Sequence, residues 1–218
     1  MNTFKNKKPV IAIDGTASSG KGTLAKRIAK FFNYDYLDTG KLYRSIAFYL
    51  IKEKLEIRDF DKLIQKNINI LNIKNENLRT REVGTKSSII SKDKKVRKFL
   101  LSYQRNFASN PPTGNGSVID GRDIGSVVIP HAEVKFFIDA DLDVRAARRY
   151  KELFPLEKKK HESYIKLRKE IFDRDLRDKT RKISPLKKMV DSIFIDTSKL
   201  SINETVQLVI KHTQDNLK

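Results

Sequence analysis

Nine consecutive residues, Gly15-Thr16-Ala17-Ser18-Ser19-Gly20-Lys21-Gly22-Thr23, combine what polyphosphate chemistry needs. Backbone amides left open at the glycines can wrap anionic oxygens, the helix that follows aims its N-terminal dipole at the same charge, and Lys21 can bridge the β- and γ-phosphates. The generic phosphate loop puts Ser or Thr directly after the Lys to face Mg²⁺. Here Gly22 intervenes, so that hydroxyl is expected from Thr23. Further along, Arg174, Arg177, Asp178 and Arg181 recur at intervals of three and four, which places them on one face of a helix. Arg44 and Arg122 each lie just past a strand signal, where a planar guanidinium can reach a phosphate above a sheet. Asp120 closes an apolar run and is suited either to hold Mg²⁺ through water or to cap the turn at Gly121. The plainer reading of Arg44 and Arg122 is a surface pair with Asp38 or Asp123, and that of the Arg174 to Arg181 set is a salt-bridged, solvated helix face.

These residues need a scaffold, and the hydrophobic pattern supplies one. Val10-Ile11-Ala12-Ile13, Tyr34-Asp35-Tyr36-Leu37, Ser117-Val118-Ile119-Asp120, Val134 to Ile138 and Ser192 to Asp196 read as five short strands. Helical patterns separate most of them. One runs from about Lys21 to Phe32, one is carried by Leu42, Ile46, Tyr49 and Leu50, and the longest runs from about Glu162 to Thr180. Ser201, with Glu204 three residues later, forms a capping box opening the last helix. Strands alternating with helices imply an α/β fold with a five-stranded parallel sheet covered on both faces, whose ligands bind at the carboxyl ends of the strands.

The 218 residues, 39% of them hydrophobic, suffice for a single domain with small mobile appendages rather than two full domains. No apolar run is long enough for a membrane span and the first residues lack a secretory pattern, so a cytoplasmic protein without membrane contact is expected. The absence of Cys excludes a disulfide scaffold, and three distant His residues make a zinc site improbable. A net charge of +19 attracts polyanions, but 31 Lys against 15 Arg, with 23 Ile and 13 Asn, marks a general compositional bias. Clusters such as Lys158-Lys159-Lys160 have no interleaved aromatic residues for stacking on bases. Weak, salt-sensitive attachment without sequence preference is the expectation.

A phosphate loop by itself serves many activities. No Asn-Lys-x-Asp guanine-reading segment is present, and a motor ATPase would usually be longer. The Gly-Lys-Gly-Thr loop followed by Asp38-Thr39-Gly40-Lys41-Leu42-Tyr43-Arg44 resembles the nucleoside monophosphate kinases. Within them, the chain resembles the bacterial cytidylate kinase family. The residues carrying that likeness are Ile13-Asp14-Gly15, the Asp38 to Arg44 segment, Asp120-Gly121-Arg122-Asp123-Ile124-Gly125, and Arg174-Asp175-Leu176-Arg177-Asp178-Lys179-Thr180-Arg181 followed by Pro185-Leu186. Leu78 to Val83, Ser88, Arg97 and Asp196-Thr197-Ser198 add to it, so nearly the whole chain is covered in the family's order.

The resemblance implies transfer of the γ-phosphoryl of ATP to CMP or dCMP with Mg²⁺, as a monomer in pyrimidine nucleotide metabolism. It assigns Thr39, Arg44 and Arg122 to the acceptor phosphate, with Tyr43 beside them, and Arg174 and Asp178 to the ribose. Arg181, Ser88, Arg97 and Asp123 would read cytosine. Lys21, Arg122, Arg174 and Arg181 would act on the transferred phosphoryl group. A kinase for UMP, AMP or a sugar acid is the near alternative, and a basic ATP-binding protein that binds nucleic acid the distant one. The core is expected at about 1–37, 117–141 and 185–218, the acceptor-binding lobe at about 38–116 and a lid at about 148–165. On the lid, Arg145, Arg148 and Arg149 precede Pro155 and a charged stretch; a basic exposed helix is the plain alternative.

One region departs from the bacterial pattern. Leu71 to Leu78 is too short and too polar for the β-rich hairpin that opens the family's inserted lobe. The segment from Asn72 to Ser91 is therefore expected to be poorly anchored, mobile without acceptor and ordered with it.

Overall fold

The computed structural model describes residues 8–66, 68–70, 73–154 and 161–217. Five strands, β1 (Val10–Gly15), β2 (Asp35–Asp38), β3 (Ser117–Gly121), β4 (Val134–Asp139) and β5 (Ile193–Asp196), form one parallel sheet in the order β2-β3-β1-β4-β5. They match the five strands read from the sequence, shifted by one or two residues at their ends. The register aligns Ile11 with Val118 on one side and Val134 on the other, so β1 sits at the centre with β3 and β4 beside it.

Alternation along β1 sends successive side chains to opposite faces. Val10 and Ala12 join a cluster with Leu42, Ile46 and Leu100, whereas Ile11 and Ile13 join Leu24, Ile28 and Val209. The first cluster lies under α2 (Thr39–Lys52), α5 (Arg81–Ile90) and α6 (Lys94–Ser109), reached after the short helices α3 (Phe60–Gln65) and α4 (Asn75–Leu78). The second lies under α1 (Lys21–Phe32) and α9 (Ile202–Asn216). A smaller cluster joins Ala17 to Ala146, Tyr150 and Ile171 at the crossing of α7 (Leu142–Leu153) and α8 (His161–Thr180). No helix among the described residues is long and apolar enough to cross a membrane.

Local sequence fixes the helix starts. Asp38 ends β2 and its carboxylate accepts the Lys41 amide, so α2 begins without an intervening loop. Thr80 and Asp93 cap α5 and α6 in the same way. Ser201 and Glu204 form the expected capping box on α9.

The expectation of a poorly anchored segment before Ser91 needs correction. Arg81 to Ile90 forms a helix that packs along α2 and buries Val83, Ser87, Ser88 and Ile90, while Leu78 on α4 is also buried. Among the described residues no hairpin stands there; helix packing replaces it, because Val83 and Ile90, with the small Ser87 between them, fall on one helical face. Leu71 and Asn72 lie outside the described residues, as do Pro155 and the charged stretch through Lys160.

Candidate active site

The carboxyl ends of β1, β2, β3 and β4 open onto one crevice. Gly15 ends β1, and a Cβ there would lie 2.0 Å from the Ile138 carbonyl oxygen, so no side chain fits where the loop leaves the sheet. Gly20, at φ 87°, turns the chain into α1 through a left-handed conformation that glycine adopts without strain. Between them Thr16 donates to Asp139 at 2.6 Å, and Ser19 donates to the Thr16 carbonyl. Lys21 is buried and its Nζ donates to the Thr16 carbonyl at 3.0 Å. Burial, then the Arg122 guanidinium, pushes its pKa down to about 7.

Beside the loop, a cavity of about 260 Å³ is lined by Ser18, Gly20, Thr23, Arg148 and Thr197. Arg148 is held against its wall by donating to the Thr197 hydroxyl and carbonyl. Thr23 lies on this wall and is exposed. The position next to Lys21 instead faces Asp120, whose Oδ2 would be 3.7 Å from a Cβ at Gly22. Asp120 accepts from the Tyr36 hydroxyl at 2.8 Å, and burial together with the Asp38 charge pushes its carboxyl up to about 6.

On the other side of β1 the acceptor candidates converge, most of them engaged by the protein itself. Thr39 is buried and donates to the Asp120 carbonyl. Arg44 donates to Asp38 at 2.7 Å, the pairing that its plainer reading anticipated. Arg122 pairs with Asp178 at 3.0 Å rather than with neighbouring Asp123. Asp123 is instead buried against Arg97, with Arg181 3.6 Å from its other oxygen. Burial raises the Asp123 carboxyl above its usual range, opposed by those two guanidiniums. Arg181 also lies 3.7 Å from Asp178 and donates to Ser91. Arg97 stacks over Tyr43, whose hydroxyl burial pushes up to about 12.

Ser88 is buried and accepts from Arg177. Arg174 carries a buried Nε with no hydrogen-bond partner among the described residues, and burial with the nearby Arg122 charge pushes it down to about 10. Buried donors of this kind are costly unless a ligand satisfies them. The α8 face is therefore not a solvated salt-bridge stripe: Asp178 and Arg181 are buried beneath the crevice.

The expected lid arginines separate into two kinds. Arg145 is buried, donates to the Ala140 and Ala17 carbonyls, and is ion-paired with Asp175, so it does not face the crevice as a free cation. Arg149 pairs with Glu152 and lines both the cavity beside the loop and a second cleft of about 530 Å³ shared with Arg79, Arg174 and Arg177. Asp175 itself accepts the Ala17 amide at 2.9 Å, tying the loop to α8. Neither Asp175 nor Thr197 was assigned a role from the sequence, although both stand within segments that carry the family likeness.

Comparison with known proteins agrees with this geometry. The cytidylate kinase family model matches residues 11–215. A protein named cytidylate kinase from Bartonella bacilliformis is 46% identical, covering 94% of this chain and 91% of its own. Another, from Neisseria gonorrhoeae, is 40% identical over 94% of this chain and 97% of its own. A solved structure of an uncharacterized protein from Eubacterium ventriosum shares the fold, with a TM-score of 0.55 and 16% identity over 95% of this chain and 99% of that one. With the family model spanning most of its length, the chain belongs to the cytidylate kinase family.

Proposed function

We infer that this chain transfers the γ-phosphoryl group of ATP to CMP or dCMP, giving ADP and CDP or dCDP. One observation carries the choice of base: a buried carboxylate, Asp123, stands beside the phosphate-directed Arg122 with Arg97 engaging one of its oxygens. Its other oxygen retains acceptor capacity for the exocyclic amino group of cytosine, and it repels the carbonyl that uracil carries at that position.

The acceptor phosphate is itself the nucleophile, so positioning and charge neutralisation suffice and no general base is required. Arg44 and Arg122 turn from Asp38 and Asp178 toward that phosphate, while Arg174 offers the donor it leaves unpaired. Lys21 exchanges the Thr16 carbonyl for the β- and γ-phosphates of ATP. Asp178 and Arg174 orient the ribose, and Ser88 and Arg181 complete the pocket for the base.

The donor set fits Mg²⁺. Asp120 stands beside the loop, its Oδ2 3.7 Å from where a Cβ at Gly22 would lie, which suits an ion held chiefly by substrate phosphates with one protein carboxylate. Asp120, whose raised pKa a nearby dication would lower, is the best placed; Thr23 is the alternative ligand. When bound, Mg²⁺ neutralises charge developing on the phosphoryl oxygens.

ADP release with each nucleoside monophosphate in turn tests the reading. CMP and dCMP should support turnover, UMP far less and purine monophosphates none. Equal turnover with UMP, or preference for a purine, would overturn it.

A further inference from the structure

Asp14 takes no part in the reaction as described, yet it is almost fully buried at the end of β1, directly before the phosphate loop. Its two oxygens accept the main-chain amides of Ile124 and Gly125, each at 2.8 Å. Those amides open a π-helical turn, Ile124–Val128, that follows Arg122 and Asp123 without a gap. The Asp123 side chain does not cap this turn; only its carbonyl takes part, accepting the Val127 and Val128 amides.

At the far end Arg105, on α6, donates to the Val128 carbonyl at 3.0 Å and the Val127 carbonyl at 3.2 Å. A π-turn is an uncommon conformation with little stability of its own, found often at functional sites. This one is clasped at both ends by side chains from other elements. The carboxylate end meets the positive pole of the turn, which favours the arrangement electrostatically.

We propose that Asp14 is a positioning residue for acceptor recognition: from the strand that launches the phosphate loop, it fixes the turn that aims Arg122 at the acceptor phosphate and Asp123 at the base. Donor and acceptor sites are thereby built from adjacent residues of one strand end, Gly15 for the loop and Asp14 for the reader. The proposal rests on the cytosine reading given above.

Asp14→Asn keeps the volume and one acceptor oxygen but sets an NH₂ against a main-chain N–H. An unpaired buried donor of that kind destabilises the clasped turn by a factor of roughly ten or more, and the fall in the fraction of enzyme with the turn in place weakens CMP binding by up to that factor. The KM for CMP should rise by that factor, and the ratio of CMP to UMP efficiency should fall, while the KM for ATP stays within about threefold. An unchanged CMP to UMP ratio, or parallel rises in both KM values, would overturn the proposal.

Should Asp14→Asn fail to fold, Arg105→Met decides. Arg105 is largely exposed, so its loss spares the core. A rise of roughly two- to fivefold in CMP KM with ATP KM unchanged supports the clasp, and an unchanged CMP KM refutes it. A wild-type enzyme with no preference for CMP would instead refute the underlying reading of the site.

Discussion

On the donor side the protein meets its ligand with main chain and open space: a loop shaped by Gly15 and Gly20, and a cavity of about 260 Å³ beside it. On the acceptor side it presents side chains already engaged with one another, Arg44 with Asp38, Arg122 with Asp178, and Arg97 with Asp123. The first half is preformed by backbone geometry. The second is a network of ion pairs, of which, on the proposed reading, Arg44 and Arg122 exchange partners when the acceptor phosphate arrives. Such exchange lets charged groups stay compensated in both states, avoiding the several kcal/mol that an isolated buried charge costs.

The comparison breaks most sharply at Lys21. Replacing Lys21 by Ala leaves the loop's backbone cradle but removes the cation nearest the transferred group, so turnover should fall by at least ~10²-fold. Near-normal turnover in a folded variant, measured by ADP release, would remove Lys21 from the chemistry. A loss of comparable cost but different kind is expected at Asp178, which faces both Arg122 and Arg181. Asp178→Ala strands those charges and should cost about 3 kcal/mol or more of stability. Inorganic phosphate, which has no ribose to lose a contact with, should then raise the melting temperature of the variant more than that of the wild type, since it compensates Arg122. An equal phosphate shift in the two proteins would show that the arginines do not need Asp178 as their stand-in.

A gentler probe is the Lys21 proton. Its folded pKa of about 7 lies below the 10.5 of an unperturbed lysine, so between those values the unfolded chain binds more protons. Stability of the free protein from this group therefore increases as pH rises from 7 toward 10.5, and is lost as pH falls back through that window. Bound ATP reverses the effect by favouring the charged form. Titration calorimetry at pH 8 in buffers of different ionisation enthalpy should record proton uptake of up to about one per ATP bound. Heats independent of buffer would mean that Lys21 is already charged. The smallest effect is expected at α5: hydrogen exchange should show Val83, Ser87 and Ile90 protected with or without CMP. Protection of α5 gained only with CMP would restore the idea of a loosely anchored lobe.

Much of this was legible in the sequence because it is local. The phosphate loop and helix α1, the capping box at Ser201 and the one-faced spacing of Arg174, Asp178 and Arg181 all follow from residues within a few positions of one another. What stayed hidden depends on distant pairing. Arg145 reads as one more basic residue on a helix until α8 brings Asp175 against it, thirty positions later in the chain. Asp14 reads as part of a motif until β3 places the amides of Ile124 and Gly125 over it. The packing of α5 on α2 was missed for a related reason: its buried face includes two serines, so its apolar stripe is thin.

The Asp175 tie has a mechanical consequence. It pins α8 to the phosphate loop near one end, so the helix can act as a lever with Ala17 as its fulcrum. From Asp175 back to His161 the arm is about 21 Å long at roughly 1.5 Å per residue, and a tilt of about 10° would sweep its tip by about 4 Å. Arg174, one residue from the pivot, would move by well under about 1 Å in the same tilt. The outer arm would carry α7 with it, because Tyr164 and Arg168 both donate to Asp143, while Arg174 beside the pivot stays in place.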